Sequence, residues 1–482
     1  MAYNVENLFD IDGVSAYEDY VATEYGATEM LSKLDGIVEV LGKINDGKGP
    51  DILVFNEIEL DQTPESSVED IGAWLDGHAG REVRDLLLTG EGGSSGLAGV
   101  PAHVWLAKAI EDAGLGRYHV AVTDEKPGVY EDGRQIGVRN VIFSRYPITS
   151  VKTHRTRSAR AILEAVLDVE GAPLTVFANH WKSGAGDPES EKIRFDNAQT
   201  LRKRLDQIFQ ENPLADVVVA GDLNSHYNQG RRYREMRKTG INDVLGSQGN
   251  ELVIRGKDRD LYNLWFELPS DRRGSDIYRN EWGTLMHIIL SRGLYDQAGL
   301  QYVDNSFSVV AIPDLNADDF GRPIRWNPLG GGYSDHFPLL AKFRRVRGEG
   351  APQWMPLNRP SQGEETSEPR RVDFASVEIL KSARDASKLP EGTDLQDGSF
   401  NGRVFKVTSP TEIDKRGVVR VQVGGKTFEL YSHDEKVREE YKKRAAKDGQ
   451  LTFYGELSIF KKRWQFLIHG KEWLVPTGSG KH

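Results

Sequence analysis

Short apolar runs that end in polar tips recur along the first two-thirds of the chain, and helical patterns separate them. Residues 51–57, Asp-Ile-Leu-Val-Phe-Asn-Glu, are the clearest run. Val138 to Phe143, Leu174 to Ala178 and Val217 to Ala220 read the same way. An apolar run without alternation suits a strand covered on both faces, because neither face can then be left to water. Between the runs, Pro188 to Phe209 has helical spacing, with Ile193, Leu201, Leu205 and Ile208 on one face. Asp187 stands at its cap and Pro188 at its first position. A second helix is expected over about Glu29 to Ile44, with Leu31, Leu34, Ile37, Val38 and Leu41 on one side. Strands and helices in alternation predict a mixed α/β sandwich with covered sheets. No repeat of solenoid type is present.

A chain of 482 residues exceeds one ordinary core and predicts two or more domains. The pattern stops between Phe343 and Arg371. Arg347-Gly-Glu-Gly-Ala-Pro and Pro360-Ser-Gln-Gly-Glu-Glu-Thr-Ser-Glu-Pro read as a linker. Short alternating strands follow: Gly402 to Val407, Val418 to Val423, Thr427 to Leu430, Leu451 to Gly455 and Trp464 to Ile468. A helix over about Asp434 to Ala446 precedes the fourth. Five strands with a helix before the fourth predict a small Greek-key barrel of the OB type. The expected domains are 1–345, a linker over 346–371, and a barrel over 372–476. Residues 371–482 hold 21 Lys and Arg against 16 Asp and Glu, a net of +5, which leaves −16 of the total −11 on residues 1–370. Nucleic acid would therefore meet local basic patches or bridging cations.

Five polar signatures sit at the ends of apolar runs, in this order: Tyr3-Asn4-Val5-Glu6-Asn7, Phe55-Asn56-Glu57, Asn179-His180-Trp181-Lys182-Ser183, Gly221-Asp222-Leu223-Asn224-Ser225 and Ser334-Asp335-His336. Together they supply the parts needed to hold a hard metal ion and hydrolyse a phosphate ester. Glu57 suits Mg²⁺ or Mn²⁺, although a strand-end carboxylate in solvent would look the same. Asp222 would align or deprotonate a water and Asn224 would donate to a phosphate oxygen, against the plain alternative of an Asx turn. His336 would move a proton or hold phosphate, and Asp335, pointing the other way, would face the metal. A protonated His180 would bind the scissile phosphate or protonate the leaving oxygen. Either histidine alone reads equally as a structural residue. Asn4 and Asn7 have an amide-orienting reading beside a strand-capping one. The chain has no cysteine, so thiol nucleophiles, disulfides and cysteine-held zinc are excluded.

Over residues 3–343 these signatures resemble the endonuclease/exonuclease/phosphatase superfamily, the group of pancreatic-type DNases, abasic-site endonucleases, sphingomyelinases and inositol-polyphosphate phosphatases. The resemblance implies a four-layer α/β sandwich of two packed sheets, with a one- or two-metal phosphodiesterase site at their edge. It places Asn4 and Glu57 beside the metal, and makes His180 and His336 the catalytic pair, with Asp335 adjacent. Asp222 and Asn224 would orient nucleophile and phosphate, and Arg134 resembles the phosphate-contacting arginine of some members. One position departs from the pattern: Leu285-Met286-His287 puts Met286 where an Asp usually orients the last histidine. Either another carboxylate, such as Asp276 or Glu281, replaces it, or His336 is oriented differently.

The resulting expectation is a nuclease, endo- or exo-acting, that uses Mg²⁺ or Mn²⁺ on DNA, with RNA as a further substrate. The alternative enzyme acts on a small-molecule or lipid-headgroup phosphate; a non-catalytic binding protein has only Met286 in its favour. The glycine- and serine-rich stretch Leu88 to Ala98 is not the apolar loop a membrane-acting enzyme would show. In the barrel, Lys462, Arg463 and Trp464 are candidates for strand binding, by charge and base stacking; the competing reading makes the aromatics core. No apolar stretch is long enough to span a bilayer and no secretory signal is visible. The expectation is a soluble protein of unknown location; because Met1 lies almost on the first strand, an engineered start or a trimmed precursor, with a secreted or periplasmic product, is kept open.

Overall fold

A computed structural model describes all of the chain except residues 64–67, 89–96, 132, 257–258, 348–352 and 477–482. Most of the stretch Leu88 to Ala98 and of Arg347 to Pro352 therefore lies outside the described residues. The chain divides into two compact units: residues 1–310 with 334–370, and residues 311–333 with 371–482.

The first unit is built on two packed sheets. One runs Ser308–Val309, Leu339–Leu340, Ala2–Leu8, Ile52–Glu59, Val138–Ser144 and His119–Val122. The other runs Ile148–His154, Ile162–Val169, Ala172–His180, Val217–Asp222, Met286–Leu290, Leu261–Asn263 and Ser247–Gln248. Ala2, Val54, Ala121 and Ile142 of the first sheet meet Leu163, Val176, Ala178, Val218, Ala220 and Ile288 of the second. Alternate residues point outward: Phe177, Val217, Val219 and Ile289 pack under the long helix Pro188–Glu211 through Ala198, Leu201 and Leu205. Helices Ala27–Leu41 and Ala102–Asp112 cover the first sheet. The order helix, sheet, sheet, helix is the four-layer α/β sandwich, and it explains why the strands read as unbroken apolar runs. Asp187 caps the long helix by accepting from the amides of Glu189 and Ser190.

Register brings the polar tips together. Ala2–Leu8 runs parallel to Ile52–Glu59, with Asn4 opposite Asn56. Ala172–His180 runs parallel to Val217–Asp222, with His180 opposite Asp222. Met286–Leu290 is antiparallel to the latter and starts at its end, so Met286 pairs with Asp222.

Residues 353–370 are not a free linker. Gln353 O accepts from Gln297 N (2.9 Å), Met355 N donates to Tyr295 O (2.9 Å) and Arg370 O accepts from Trp282 N (2.8 Å). Met355 is buried and Trp354 and Leu357 pack on the same core. These three apolar anchors are hidden in a proline- and glycine-rich composition, which is why the segment reads as unstructured.

The second unit holds a closed five-stranded barrel of Val404–Ile413, Val419–Val423, Lys426–Tyr431, Gln450–Phe460 and Arg463–Leu467. Neighbours are antiparallel except the third and fifth, and the fourth returns to the first along Val404 to Pro410. Helix Glu435–Asp448 precedes the fourth strand, as its sequence pattern requires, and ends on Gly449. Residues 311–333, expected in the first domain, belong here: Arg322 reaches both Asp318 and Glu456 at 2.6 Å, and Arg403 pairs with Asp319 at 3.2 Å. Sequence proximity to the last sandwich strand concealed this.

Candidate active site

The site is assembled where strand geometry is broken. The ladder between Ala2–Leu8 and Ile52–Glu59 shifts register after Asn4, and that between Ile52–Glu59 and Val138–Ser144 shifts after Phe55. Glu6, Asn7 and Glu57 take left-handed φ values of 53°, 65° and 64°. Bulges re-aim side chains at strand ends, and left-handed backbone in non-glycine residues marks places where packing over-determines the conformation. Gly221 has φ +118°, and a Cβ there would lie 2.2 Å from Asn179 O. Only glycine lets the chain turn from Ala220 to Asp222.

Asn4 binds the two principal carboxylates together. Its Nδ2 donates to Glu57 Oε1 (2.9 Å) and to Asp222 Oδ2 (3.1 Å), while its Oδ1 accepts from Glu6 N (3.0 Å). Asn4 thus presents N–H groups to the cluster, and its oxygen is turned away from the place a metal would take. Asn56 ties the sheets behind it: its Nδ2 donates to Asn140 Oδ1 and Asn179 O, and its Oδ1 accepts from Asp222 N. Asn224 N donates to Asp222 Oδ1 (2.8 Å), and Asn224 Nδ2 donates to Trp181 O (3.2 Å). Asn224 therefore holds Asp222 and the His180 turn.

His180 Nε2 lies 3.6 Å from Glu57 Oε1 and 3.8 Å from Asp222 Oδ2. His336 Nε2 lies 3.8 Å from the same Asp222 oxygen and 3.7 Å from Asp335 Oδ1. Ser334 fastens this last turn, donating to Asn4 O (2.7 Å) and accepting from His336 N (3.1 Å). The Nδ1 atoms of both histidines are buried without a hydrogen-bond partner.

Electrostatics separate the two rings. Burial, with Arg160 and His336 adding to it, holds His180 well below the usual histidine range. Burial also pulls His336 down, but Asp335, Asp222, Asp276 and Glu57 outweigh it and push that histidine up to about 9. Burial and the neighbouring Asp335 push Glu57 up to about 7. Burial raises Asp222 as well, against the pull of His336.

Glu57, His180 and Asp222 each offer a donor atom, all within 4.8 Å of one another. Carboxylates that burial drives toward protonation, gathered around one point, fit a hard divalent cation, which would restore their ionised form.

Arg160 escaped the sequence reading, and Asp276 was named there only beside Glu281. Arg160 is the arginine whose charge acts on Glu57, Asp222 and His180; its Nη1 donates to Trp181 O at 3.3 Å. Arg134 is exposed, donates to Ser158 O and covers the Tyr130 ring, so the structure does not bring it into this cluster. Of the two candidates for the departure at Met286, the structure brings Asp276 to His336. Asp276, on the hairpin Asp276–Tyr278/Glu281–Gly283, forms a backbone bridge with His336, and its charge acts on that ring. Glu281 instead pairs with Arg232 at 3.2 Å. Asp276 accepts from Leu285 N and Ser275 Oγ, which aims its carboxyl inward.

In the barrel, Trp464 is 8% exposed and belongs to the core, packed with Phe466 and Phe428. Its edge lines a groove of about 560 Å³ with Arg420, Thr427, Glu429, Lys462 and Arg463. The open aromatic nearby is Phe460, 59% exposed, beside the turn Lys461-Lys462. Among the described residues no helix is long and apolar enough to cross a membrane.

The family model of the Endonuclease/Exonuclease/phosphatase family matches residues 138–345. Similar solved structures include TDP2 from C. elegans, at 13% identity, 65% of this chain and 70% of that one, with a TM-score of 0.35. The human Nocturnin catalytic domain with bound sulfate is 15% identical, over 69% and 92%, with a TM-score of 0.36. Sphingomyelinase C from Streptomyces griseocarneus is 16% identical, over 70% and 97%, with a TM-score of 0.36. No curated protein matches the chain. Glu57, His180 and Asp222 form a cluster that could hold a metal ion. The match to the endonuclease/exonuclease/phosphatase family covers residues 138–345, the part of the sandwich that carries His180, Asp222 and His336.

Proposed function

We propose that the chain is a metal-dependent nuclease that hydrolyses phosphodiester bonds in DNA, with RNA as the second nucleic acid to test. The observation that carries this reading is the pair of histidines, tuned in opposite directions around one carboxylate. Glu57 and Asp222, with Asp335 beside them, would hold Mg²⁺ or Mn²⁺. Such an ion supplies charge stabilisation at the phosphate and a more acidic water. His336, kept protonated by four carboxylates, donates to a phosphate or leaving oxygen. His180, kept neutral, is free to accept. Asp222, fixed by Asn4, Asn56 and Asn224, orients the attacking water, and Arg160 faces the phosphate in the role expected of Arg134. The barrel supports a polymeric substrate: it is OB-like in strand order, and Phe460, Lys461, Lys462 and Arg463 offer a ring and charges on one hairpin.

The test is hydrolysis of linear and circular DNA, RNA and small phosphodiesters with Mg²⁺, Mn²⁺ or Ca²⁺. EDTA should stop cleavage and Mg²⁺ or Mn²⁺ should restore it. Asp222→Asn, His180→Ala and His336→Ala should each lower turnover by about 10² or more. Hydrolysis of small esters with nucleic acid untouched would move the assignment to the small-molecule or lipid-headgroup class. Full activity after exhaustive chelation would refute it.

A further inference from the structure

Glu251, Glu267 and Asp304 form a second acidic cluster in the sandwich unit, each contributing a carboxylate oxygen within 4.8 Å of the others. They come from three separate places: after strand Ser247–Gln248, at the end of the turn Leu264–Glu267, and after strand Leu300–Tyr302. The adjoining Tyr262 pairs with Leu290, at the opposite end of its strand from Met286 and Asp222. About 13 Å of strand separates the two ends.

Each carboxylate is half used. Glu251 Oε2 accepts from Ser361 N (3.3 Å), Glu267 Oε2 from Tyr302 Oη (2.6 Å) and Asp304 Oδ2 from Asn358 N (2.7 Å). The other oxygen of each, Glu251 Oε1, Glu267 Oε1 and Asp304 Oδ1, is buried without a hydrogen-bond partner. Glu251 itself is 2% exposed. Two further groups point the same way. The hydroxyls of Tyr262 and Tyr295, both in fully buried side chains, lean on Ser361 and on Glu251 without completing a well-formed hydrogen bond, and both phenols feel the charges of Glu251 and Glu267. Arg255 offsets part of the charge on Glu251 while its Nη2 donates to Met355 O.

Three buried carboxylate oxygens without a well-formed hydrogen bond are costly unless something positive neutralises them. We infer that Glu251, Glu267 and Asp304 form a structural site for a hard divalent cation of the calcium type, separate from the catalytic cluster. The donors are all oxygen, several come from protein, and the place is buried. Ca²⁺ accepts such a cage, whereas Mg²⁺ keeps most of its waters. The ion would fasten residues 358–361 to the edge of the second sheet, since Ser361 and Asn358 hold the same carboxylates from outside. In its absence, burial, helped by Asp304, pushes Glu251 up to about 7, and burial pushes Glu267 up to about 8. Protons are thus the competing occupants.

The experiment uses the full chain carrying Asp222→Asn, so that ion uptake is not dominated by the catalytic cluster. After treatment with EGTA, adding CaCl₂ above the raised carboxyl range should increase Tm by a few degrees. Tb³⁺ should bind with emission sensitised by the adjoining tyrosines and be displaced by Ca²⁺. Adding Glu251→Gln or Asp304→Asn should abolish both responses. If either variant fails to fold, the terbium titration of the parent decides alone. The inference is overturned by an absent Ca²⁺ shift with no sensitised emission, or by responses that survive Glu251→Gln and Asp304→Asn. It is overturned equally if Glu251→Gln stabilises the chelated protein and the parent ignores Ca²⁺, which would mean protonated carboxyls fill the space.

Discussion

His180 and His336 stand at the same 3.8 Å from Asp222 Oδ2, and only their other neighbours distinguish them. In the metal-free protein, imidazole NMR should show His336 losing its proton near pH 9 and His180 neutral throughout the neutral range. The sign follows from linkage. A histidine raised above its ordinary 6.5 contributes stability fully present below that value, lost as pH rises through about 9. Asp276→Asn should move the His336 titration downward and shift the pH profile of turnover; an unmoved His336 would remove Asp276 from its positioning role. Met286→Asp should not improve the enzyme. Met286 is fully buried and pairs with Asp222, so a carboxylate there adds unpaired charge, and lower Tm without higher turnover is the expected result. Glu57, His180 and Asp222 were visible in the sequence because each closes an apolar run, and Ser334-Asp335-His336 because it follows a run of glycines. Arg160 was not visible because it precedes a strand rather than ending one, and Asp276, which begins a two-stranded hairpin, could be named only beside Glu281.

At the scale of elements, the strands that carry the site were legible from hydrophobicity alone, since both faces are covered. Val138–Ser144, Ala172–His180 and Val217–Asp222 fall where the runs placed them. What the runs could not express is how adjacent elements are pinned. Glu164, on strand Ile162–Val169, is 1% exposed and accepts two bonds from Arg204 of the long helix, both 2.8 Å, and one from His154 (2.7 Å). Burial raises its pKa, but His154 and Arg204 outweigh that and lower it to about 2. A depressed carboxylate contributes stability above its ordinary 4.5 that is lost as pH falls through about 2. Glu164→Gln should therefore cost about 3 kcal/mol at neutral pH and flatten the acid limb of a Tm-against-pH curve. A variant with the same acid limb as the parent would refute this. Gly221→Ala meets Asn179 O at 2.2 Å with φ +118°, and should cost about 2 kcal/mol or more. Turnover should fall with it, because Asp222 must shift; calorimetry and steady-state rates on one preparation check both.

For the whole molecule, the division of the chain determines what can be cut. A barrel fragment of residues 371–476 lacks Asp318, Asp319 and Arg322, and so leaves Glu456 and Arg403 buried without those partners. Breaking a buried pair on one side costs about 3–5 kcal/mol. That fragment should express poorly or melt early, while one joining residues 311–333 to 371–476 through a short linker should show a cooperative melt. Equal melts of the two fragments would refute the division. A functional boundary is easy to place where composition changes, at residue 371, but nothing local marks 311–333 as belonging to a core assembled later. On a ribosome this difference becomes a waiting time. Arg322 emerges 134 residues before Glu456. At about 5–20 residues per second, it spends on the order of ten seconds without that partner. For that interval the nascent chain carries an unfinished loop immediately ahead of Ser334-Asp335-His336, a stretch open to chaperones and proteases until the last strands are made.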